Sequence, residues 1–257
     1  MFDMELNGKK AIVTGGSDGL GRATAHRLAQ EGAEVVICGR RGEYLTEVAA
    51  MLSGETGGTV HAVQADVSKA EDCARLMEQA LAAMGGLDIL INNAGASAAA
   101  SLMDVGDDAW QADFDLKVMA AVRLCRAAVP HMRARGGGSI INAAIGGGKA
   151  PPARQLPTSL TRAAGLNLTK SLAQEFAADN IRVNAICIGL IKSAQWDRRA
   201  GDGSVDALYA DMSNRIPLGR VGEAEDYADL AAFLCSGRAT YITGTAINCD
   251  GGLCPVT

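Results

Sequence analysis

The feature that most constrains the fold is a glycine-rich turn near the amino terminus, between a short apolar run and a helical pattern. Its sequence is Thr14-Gly15-Gly16-Ser17-Asp18-Gly19-Leu20-Gly21. Glycines at this spacing allow a tight turn and let backbone N–H groups approach a pyrophosphate, while the helix that follows presents the positive end of its dipole. The arrangement is typical of a dinucleotide-binding unit. A tight turn without a ligand is the alternative interpretation.

The rest of the chain repeats the alternation of strand and helix. Short apolar runs predict strands at Lys10–Val13, Glu34–Cys38, Val60–Gln64, Leu87–Asn92, Ser139–Asn142, Arg182–Ile188 and Ala246–Cys249. Helical spacing predicts helices at Leu20–Glu31, Ala70–Met84, Trp110–Arg135, Leu160–Ala178 and Ala224–Leu234. Strands that alternate with helices predict an α/β fold with a doubly wound, seven-stranded parallel sheet of the Rossmann type. Because no linker or repeat divides the chain, we expect residues 1–257 to form a single domain.

Two irregular segments leave predicted strands at their carboxyl ends. They are Ala143–Pro157, which is rich in glycine and proline, and Leu190–Glu223. Ligands of open α/β sheets bind beyond the carboxyl ends of the strands. We therefore expect both segments to form walls of a substrate pocket, with residues 190–223 as a substrate lid.

Composition excludes several classes of function. A chain with 48% hydrophobic and 21% charged residues can bury a core, and a net charge of -5 without a basic block argues against nucleic acid as a partner. No apolar run is long enough to span a membrane. The seven cysteines include no Cys-x-x-Cys pair, and the three histidines are far apart, so we expect neither a disulfide framework nor a metal site. A cytoplasmic protein without membrane contact is expected.

The residues after the second predicted strand bear on the choice of cofactor. This strand is followed by Arg40 and Arg41. In dinucleotide-binding folds an acidic residue at this place binds the ribose 2'-hydroxyl, whereas a guanidinium suits a 2'-phosphate. The sequence therefore favours NADP(H) over NAD(H), with a solvated arginine pair as the alternative.

Further motifs follow in order along the chain: Asp66-Val67, Asn92-Asn93-Ala94-Gly95, Tyr241-Ile242-Thr243-Gly244 and Asp250-Gly251-Gly252. With the glycine turn, they make the sequence resemble the classical short-chain dehydrogenase/reductase family over essentially its whole length. The resemblance implies a homodimer or homotetramer packed through the two long helices. The turn, the arginines and the resemblance together predict a cofactor site formed by Gly15, Ser17, Asp18, Gly19, Leu20, Gly21, Arg40, Arg41, Asp66, Val67, Asn93, Ala94, Gly95, Arg162, Ile191 and Ser193.

The resemblance also implies a catalytic set of serine, tyrosine, lysine and asparagine, in which the tyrosine hydroxyl exchanges the proton and the lysine lowers its pKa. By register, these four positions hold Ile145, Thr158, Arg162 and Lys117, respectively. An aliphatic hydroxyl has no acidity comparable with that of a phenol. The sequence therefore predicts a degenerate catalytic set and an atypical mechanism.

Three of the replacing residues offer other chemistry. A desolvated Lys117 would have a lowered pKa and is a candidate acid, base or nucleophile, unless Asp113 or Asp115 pairs with it. Arg162 is suited to hold ribose hydroxyls or a substrate anion, or is simply a structural helix residue. With Thr158, these residues form the predicted catalytic site.

Outside the catalytic register, Lys149 and Arg154 are candidates for a clamp on an anionic substrate, or solvated loop charges. Tyr209 is the one tyrosine in a loop that could lean over the site.

Three functions stay open from the sequence. The first is an NADP(H)-dependent oxidoreductase that acts on a small carbonyl or alcohol substrate. The second is a non-redox cyclase, lyase, isomerase or dehydratase that uses Lys117 and Arg162. The third is a catalytically inactive binding subunit, because a fold alone does not settle function.

Overall fold

The computed structural model describes residues 3–193, 196 and 204–257. Its strands form one parallel sheet in the order β3-β2-β1-β4-β5-β6-β7, which confirms the predicted seven-stranded Rossmann-type fold. The strands are β1 (Lys10–Thr14), β2 (Glu34–Gly39), β3 (Val60–Gln64), β4 (Ile89–Asn92), β5 (Gly138–Ile145), β6 (Ile181–Ile188) and β7 (Ala246–Cys249).

Helices connect the strands and cover both faces of the sheet. They are α1 (Gly19–Gln30), α2 (Gly42–Thr56), α3 (Ala70–Met84), α4 (Asp107–Phe114), α5 (Ala120–Ala134), α6 (Thr158–Glu175), α7 (Val205–Ser213) and α8 (Ala224–Cys235). A π-helical turn, Asp115–Met119, joins α4 to α5. No helix was predicted from the sequence at α2 or α7.

The hydrophobic core has a layer on each side of the sheet. On one side, Leu28 of α1 and Ala231 of α8 pack with Ile37 of the sheet. On the other side, Leu76 of α3 and Leu124 of α5 pack within a second apolar cluster. Strands buried on both faces require nearly continuous apolar sequences, which is why the strand predictions were close to the observed bounds.

Two predicted elements differ from the structure near the site. The helix predicted at Trp110–Arg135 begins at Asp107 and contains the π-helical turn, an insertion that periodicity does not reveal. The strand predicted to end at Asn142 continues through Ala143 to Ile145, where Ile145 pairs with Ile188 of β6. The prediction of an irregular loop from Ala143 was therefore wrong for its first three residues, because alanine is a weak indicator of a strand.

Only part of the predicted lid lies within the described residues. In residues 190–223, Ile191 forms a bridge with Gly222, and α7 lies between them in the chain. Residues 194, 195 and 197–203 lie outside the described residues. Within the described ranges, no helix is long and apolar enough to cross a bilayer. The same residues contain no cluster of histidine, cysteine and carboxylate side chains fit to hold a metal ion.

Candidate active site

An open cleft of about 1600 Å³ crosses the carboxyl ends of the strands. Every residue predicted for the cofactor lines this cleft, the cofactor cleft. The residues are Gly15, Ser17, Asp18, Gly19, Leu20, Gly21, Arg40, Arg41, Asp66, Val67, Asn93, Ala94, Gly95, Arg162, Ile191 and Ser193. The sheet order explains the convergence, because β1 lies between β2 and β4 at the point where the winding reverses.

Glycine is required in the turn after β1 for steric reasons. A Cβ atom at Gly21 would lie 2.1 Å from the Gly15 carbonyl oxygen and 2.6 Å from the Asn93 Nδ2 atom. Gly15 itself has a φ of +66°, in the left-handed region that favours glycine. The turn and the start of α1 therefore pack backbone to backbone, as a pyrophosphate cradle requires.

The segment after β4 holds this turn in place. The Thr14 hydroxyl accepts hydrogen bonds from the backbone N–H groups of Asn93 and Ala94, both at 2.9 Å. The Asn93 side chain donates to the Thr14 carbonyl oxygen at 2.9 Å. These bonds join two motifs about eighty residues apart in sequence, so the cradle is fixed by the sheet and not by the turn alone.

The amino terminus of α1 suits an anionic ligand. No acidic residue stands in its first turn, and the preceding residue, Asp18, makes no capping hydrogen bond to it. The first N–H groups of a helix have no partner within the helix and attract phosphate. The cofactor cleft therefore fits a dinucleotide, because this end of α1 would suit its pyrophosphate.

The two arginines after β2 have different surroundings. Arg41 forms an ion pair with Asp18 and stacks over the Tyr44 ring, with its guanidinium carbon 4.4 Å from the ring centre. The hydroxyl of Tyr44 also donates to Asp18, at 3.0 Å, and this hydrogen bond raises the pKa of the tyrosine. Among the described residues, no carboxylate pairs with Arg40, which is exposed at the cleft.

The predicted catalytic residues meet at the other end of the cofactor cleft. Ile145, Thr158 and Arg162 line the cleft, whereas Lys117 lies behind Thr158. The Thr158 hydroxyl oxygen accepts hydrogen bonds from the Lys117 ammonium and from the Ala98 backbone N–H, both at 3.0 Å. A hydrogen bond thus connects Lys117 directly to Thr158.

Lys117 belongs to a buried polar network with Asp113, Thr158 and Thr161, the Lys117 network. Its ammonium donates to one Asp113 oxygen, and the Thr161 hydroxyl donates to the other at 2.7 Å. The side chains of Lys117 and Asp113 are 0% and 3% exposed. Burial lowers the pKa of Lys117 to about 8, the nearby charge of Arg162 adds to this, and Asp113 opposes it. The sequence offered desolvation of Lys117 or an ion pair as alternatives, and the structure shows both.

Arg162 is held against the end of β5. One guanidinium nitrogen, Nη1, donates to the Ala143 carbonyl oxygen at 2.5 Å, and the buried Nε atom has no hydrogen-bond partner among the described residues. A Cβ atom at Gly95 would lie 2.5 Å from Nη2. Arg162 therefore presents an incompletely paired cation to the cofactor cleft beside Gly95, and burial lowers the pKa of its guanidinium.

Replacing Asp113 with alanine should leave the Lys117 ammonium buried without its anion. Removal of one partner of a buried pair costs about 3–5 kcal/mol of unfolding free energy. Without Asp113 the pKa of Lys117 falls further, and the folded state then binds fewer protons than the unfolded state. The loss should therefore be smaller at about pH 9 than at about pH 7, as denaturant unfolding would show.

The control is Asp115→Ala, which removes a half-buried carboxylate that pairs with Arg123 at 3.4 Å. We expect a loss of about 1 kcal/mol or less there. Equal losses in the two variants would contradict the view that Asp113 neutralises a buried charge.

Three side chains considered in the sequence analysis are placed away from the catalytic positions. Lys149 donates to the Ala246 carbonyl and the Asn248 side chain, both at 2.7 Å. Arg154 pairs with Asp104 at 3.4 Å, at an exposed position. The Tyr209 hydroxyl accepts a hydrogen bond from the Ser193 backbone N–H at 3.3 Å. None of these three is among the described residues that line the cofactor cleft.

The structure adds polar residues to the cleft that were not predicted from the sequence. Gln155 and Arg215 both line the cofactor cleft. Gln155 lies in the glycine- and proline-rich loop, in which only charged residues were predicted as site residues. Arg215 follows α7 within the segment predicted as a lid, and no spacing in the sequence relates it to the catalytic positions.

Comparison with known proteins agrees with this geometry. The family model described as enoyl-(acyl carrier protein) reductase matches residues 15–254. Dehydrogenase/reductase SDR family member 4 of Bos taurus is 39% identical over 252 residues, which cover 96% of this chain and 88% of that protein. The protein of the same name from Homo sapiens is 38% identical over 252 residues, with the same coverage.

Solved structures match over nearly the entire chain. L-sorbose reductase from Gluconobacter frateurii, complexed with NADPH and L-sorbose, superposes with a TM-score of 0.96 and 38% identity, over 100% of both chains. A short-chain type dehydrogenase/reductase from Mycobacterium marinum gives 0.90 and 31%, over 99% of this chain and 98% of that one. With the sheet order, the glycine cradle and these matches, the chain belongs to the short-chain dehydrogenase/reductase family of oxidoreductases.

Proposed function

We propose that this chain is an NADP(H)-dependent oxidoreductase that interconverts a small carbonyl compound and its alcohol, and that Lys117 and Thr158 together provide the proton. The observation that carries the proposal is the 3.0 Å hydrogen bond from Lys117 to Thr158 at the wall of the cofactor cleft. It connects a group with a pKa of about 8 to the position at which the family has its tyrosine. Non-redox chemistry and an inactive subunit are not favoured, because the relatives are oxidoreductases.

The proton reaches the substrate in two transfers. A hydroxyl oxygen has two lone pairs and one proton. In Thr158 both lone pairs accept N–H groups, so its proton is left for a third partner in the cleft. Thr158 gives this proton to the carbonyl oxygen and takes one from the Lys117 ammonium. The carbonyl carbon gains a hydride, which the nicotinamide of a bound NADPH would supply, and the products are the alcohol and NADP+.

Lys117 must then regain a proton. A cavity of about 20 Å³ lies beside it, lined by polar side chains that include Asn92, Asn142, Thr161 and Arg162. This volume is enough for one water molecule. The Asn92 Oδ1 atom is buried without a partner among the described residues and gives such a water an acceptor. In this scheme the cavity passes the proton from solvent to Lys117.

Arg162 stands in for the family's lysine as an anchor. A guanidinium cannot exchange protons usefully near neutral pH, but its planar fork binds paired oxygens. Its position next to Gly95 suits the nicotinamide ribose hydroxyls, and its charge stabilises negative charge that develops on the carbonyl oxygen. Arg162 thus binds and orients the cofactor and substrate, whereas Lys117 gives and regains the proton.

Replacing Arg40 with alanine should weaken the binding of NADPH by about 10- to 100-fold and leave that of NADH unchanged. Hydrogen bonds to a charged group contribute about 1.5–3 kcal/mol, and about 1.4 kcal/mol corresponds to a tenfold change in affinity. Fluorescence titration of both cofactors provides the measurement. Arg126→Ala, at an exposed position of α5, is the matched control. An equal loss for NADH would refute the assignment of Arg40 to the 2'-phosphate.

The proposed activity is tested by incubating the protein with NADPH and small ketones or aldehydes while the absorbance of reduced nicotinamide is recorded. We expect the absorbance to fall faster than it does without protein. The alcohol should accumulate in an amount equal to the NADPH consumed. Tight NADPH binding without turnover of any carbonyl compound would instead support the non-redox enzyme or the binding subunit.

A further inference from the structure

Arg215 is a cation without a partner at the wall of the cofactor cleft. It lies between α7 and α8, lines the cleft and is exposed. Within the described part of the chain, no carboxylate, carbonyl oxygen or aromatic ring binds its guanidinium. A guanidinium has five N–H donors and binds the oxygens of a carboxylate or phosphate in pairs. An arginine left open at the wall of a ligand cleft can therefore receive an anion from the ligand.

Packing fixes the backbone around Arg215. Its N–H group donates to the Met212 carbonyl oxygen at 3.1 Å, and the next residue, Ile216, is buried. A Cβ atom at Gly251 would lie 2.6 Å from the Ile216 Cγ2 atom, so Ile216 packs on the turn after β7. The Leu218 N–H donates to the Gly251 carbonyl oxygen at 3.1 Å. Arg215 therefore extends from a backbone held against this turn, and a fixed backbone lets a side chain orient a ligand.

The segment after β7 belongs to the catalytic half of the cleft, at the ends of β5, β6 and β7. A Cβ atom at Gly189, directly after β6, would lie 2.5 Å from the Asp250 Cα atom. One at Gly146, directly after β5, would lie 3.0 Å from the Cys254 Sγ atom. The last residue of β5 stands at the serine position of the family. Strands β1 and β2, from which the glycine turn and the two cleft arginines leave, are in the other half of the sheet. Arg215 is thus anchored on the catalytic side.

The charges in the catalytic half of the cleft are not balanced. Besides Arg215, the charged residues among the described lining of this half are Arg162 and Asp250. Both carboxylate oxygens of Asp250 already accept backbone N–H groups, from Gly252 at 2.9 Å and from Cys254 at 2.7 Å. A cleft with a surplus of cations attracts anions. The proposed cofactor has its phosphates in the other half, at the glycine turn and the arginines after β2, so the anion that Arg215 receives belongs to the substrate.

We propose that Arg215 binds an anionic group of the substrate, so that the preferred substrates are ketones or aldehydes that carry a carboxylate or a phosphate. The proposal rests on the proposed function for the identity of the reacting group. Arg215 holds the anion, and Thr158 faces the carbonyl oxygen. The candidates for this role from the sequence were Lys149 and Arg154, but the structure pairs both of them away from the cleft.

The test compares anionic ketones with neutral analogues. The carboxylate pairs are pyruvate with pyruvamide, 4-oxopentanoate with 4-oxopentanamide, and 5-oxohexanoate with 5-oxohexanamide, and the phosphate pair is dihydroxyacetone phosphate with dihydroxyacetone. Binding to the protein saturated with NADP+, which has no hydride to give to a ketone, is measured by ligand-observed NMR. We expect the wild-type protein to bind at least one anion about tenfold more tightly than its neutral analogue. The pair that shows the preference identifies the anionic group.

Three variants make the result specific. Arg215→Gln should reduce the preference to about one, whereas Arg215→Lys, which keeps the charge but loses the planar fork, should retain part of it. Arg154→Gln removes an exposed cation that pairs with Asp104 in the loop before α6 and should leave the preference intact.

Two results would overturn the proposal: no preference for any of the anions in the wild-type protein, or an unchanged preference in Arg215→Gln. A loss of NADP+ affinity in Arg215→Gln would also overturn it, because the guanidinium would then bind a phosphate of the cofactor. Selective binding of an anion by the wild-type protein, without turnover of that compound with NADPH, would overturn only the proposed reaction.

Discussion

Carbonyl reduction by a Lys117→Met variant should be slower in kcat by about 10²- to 10⁴-fold, the range that a positioned general acid contributes. The affinity for NADPH should stay unchanged, because Lys117 lies behind Thr158 and does not line the cofactor cleft. Methionine keeps the length of the side chain but has no proton to give. Steady-state kinetics with cofactor titration in parallel separates the two quantities.

The pH dependence distinguishes a chemical role of Lys117 from a structural one. In the wild-type protein the ammonium form gives the proton, so kcat for reduction should fall as the pH rises through about 8. Alcohol oxidation needs the neutral amine and should rise through the same range. In Lys117→Met both dependences should disappear, whereas Lys170→Met, at an exposed position of α6, should keep them.

A double variant controls for folding. Lys117→Met leaves Asp113 buried without its cation, but Lys117→Met with Asp113→Leu replaces the whole ion pair by apolar side chains, which is often neutral or stabilising. We expect the double variant to unfold near the wild-type denaturant midpoint and still to lack activity. Restored activity in this variant would show that the single substitution acted only through stability.

Gly21→Ala should weaken NADPH binding by about 10- to 100-fold, which corresponds to about 1.4–2.8 kcal/mol of binding free energy. The new Cβ atom would lie 2.1 Å from the Gly15 carbonyl oxygen, so the turn or α1 must shift. Fluorescence titration with NADPH measures the effect.

Gly54→Ala is the matched control, because this glycine of α2 has no atom within 4 Å of an added Cβ. There we expect unchanged cofactor affinity and a gain of up to about 1 kcal/mol in stability. Equal NADPH affinity of Gly21→Ala and the wild-type protein would contradict the placement of the pyrophosphate at this turn.

Local sequence patterns predicted the bounds of three elements correctly. The predicted bounds of β3, α3 and β7 agree with the structure, because apolar residues in these segments recur at the period of a strand or a helix. Helix α2 was missed although Leu45, Val48 and Leu52 have helical spacing. The apolar pattern of a helix is therefore present in this segment of the sequence.

The missed parts of the site depend on tertiary contacts. The π-helical turn at Lys117 adds one residue to a helix without changing the local composition, and the partner of Lys117 at Thr158 is 41 residues away. Lys149 turns to β7, 97 residues later, for its hydrogen bond. The Gln155 Oε1 atom is buried without a hydrogen-bond partner among the described residues, and no spacing in the sequence predicts this.

Under the proposed function, this cleft reduces a carbonyl group with Thr158 at the position where the family has its tyrosine. The most direct measurement is isotope transfer from NADPH deuterated at the hydride-donating carbon of the nicotinamide, with the alcohol analysed by mass spectrometry. We predict that the wild-type protein forms an alcohol that carries the deuterium on its carbinol carbon, and that Lys117→Met forms almost none. NADPH that binds in the cleft while every candidate carbonyl compound yields no alcohol, or only unlabelled alcohol, would contradict the claim.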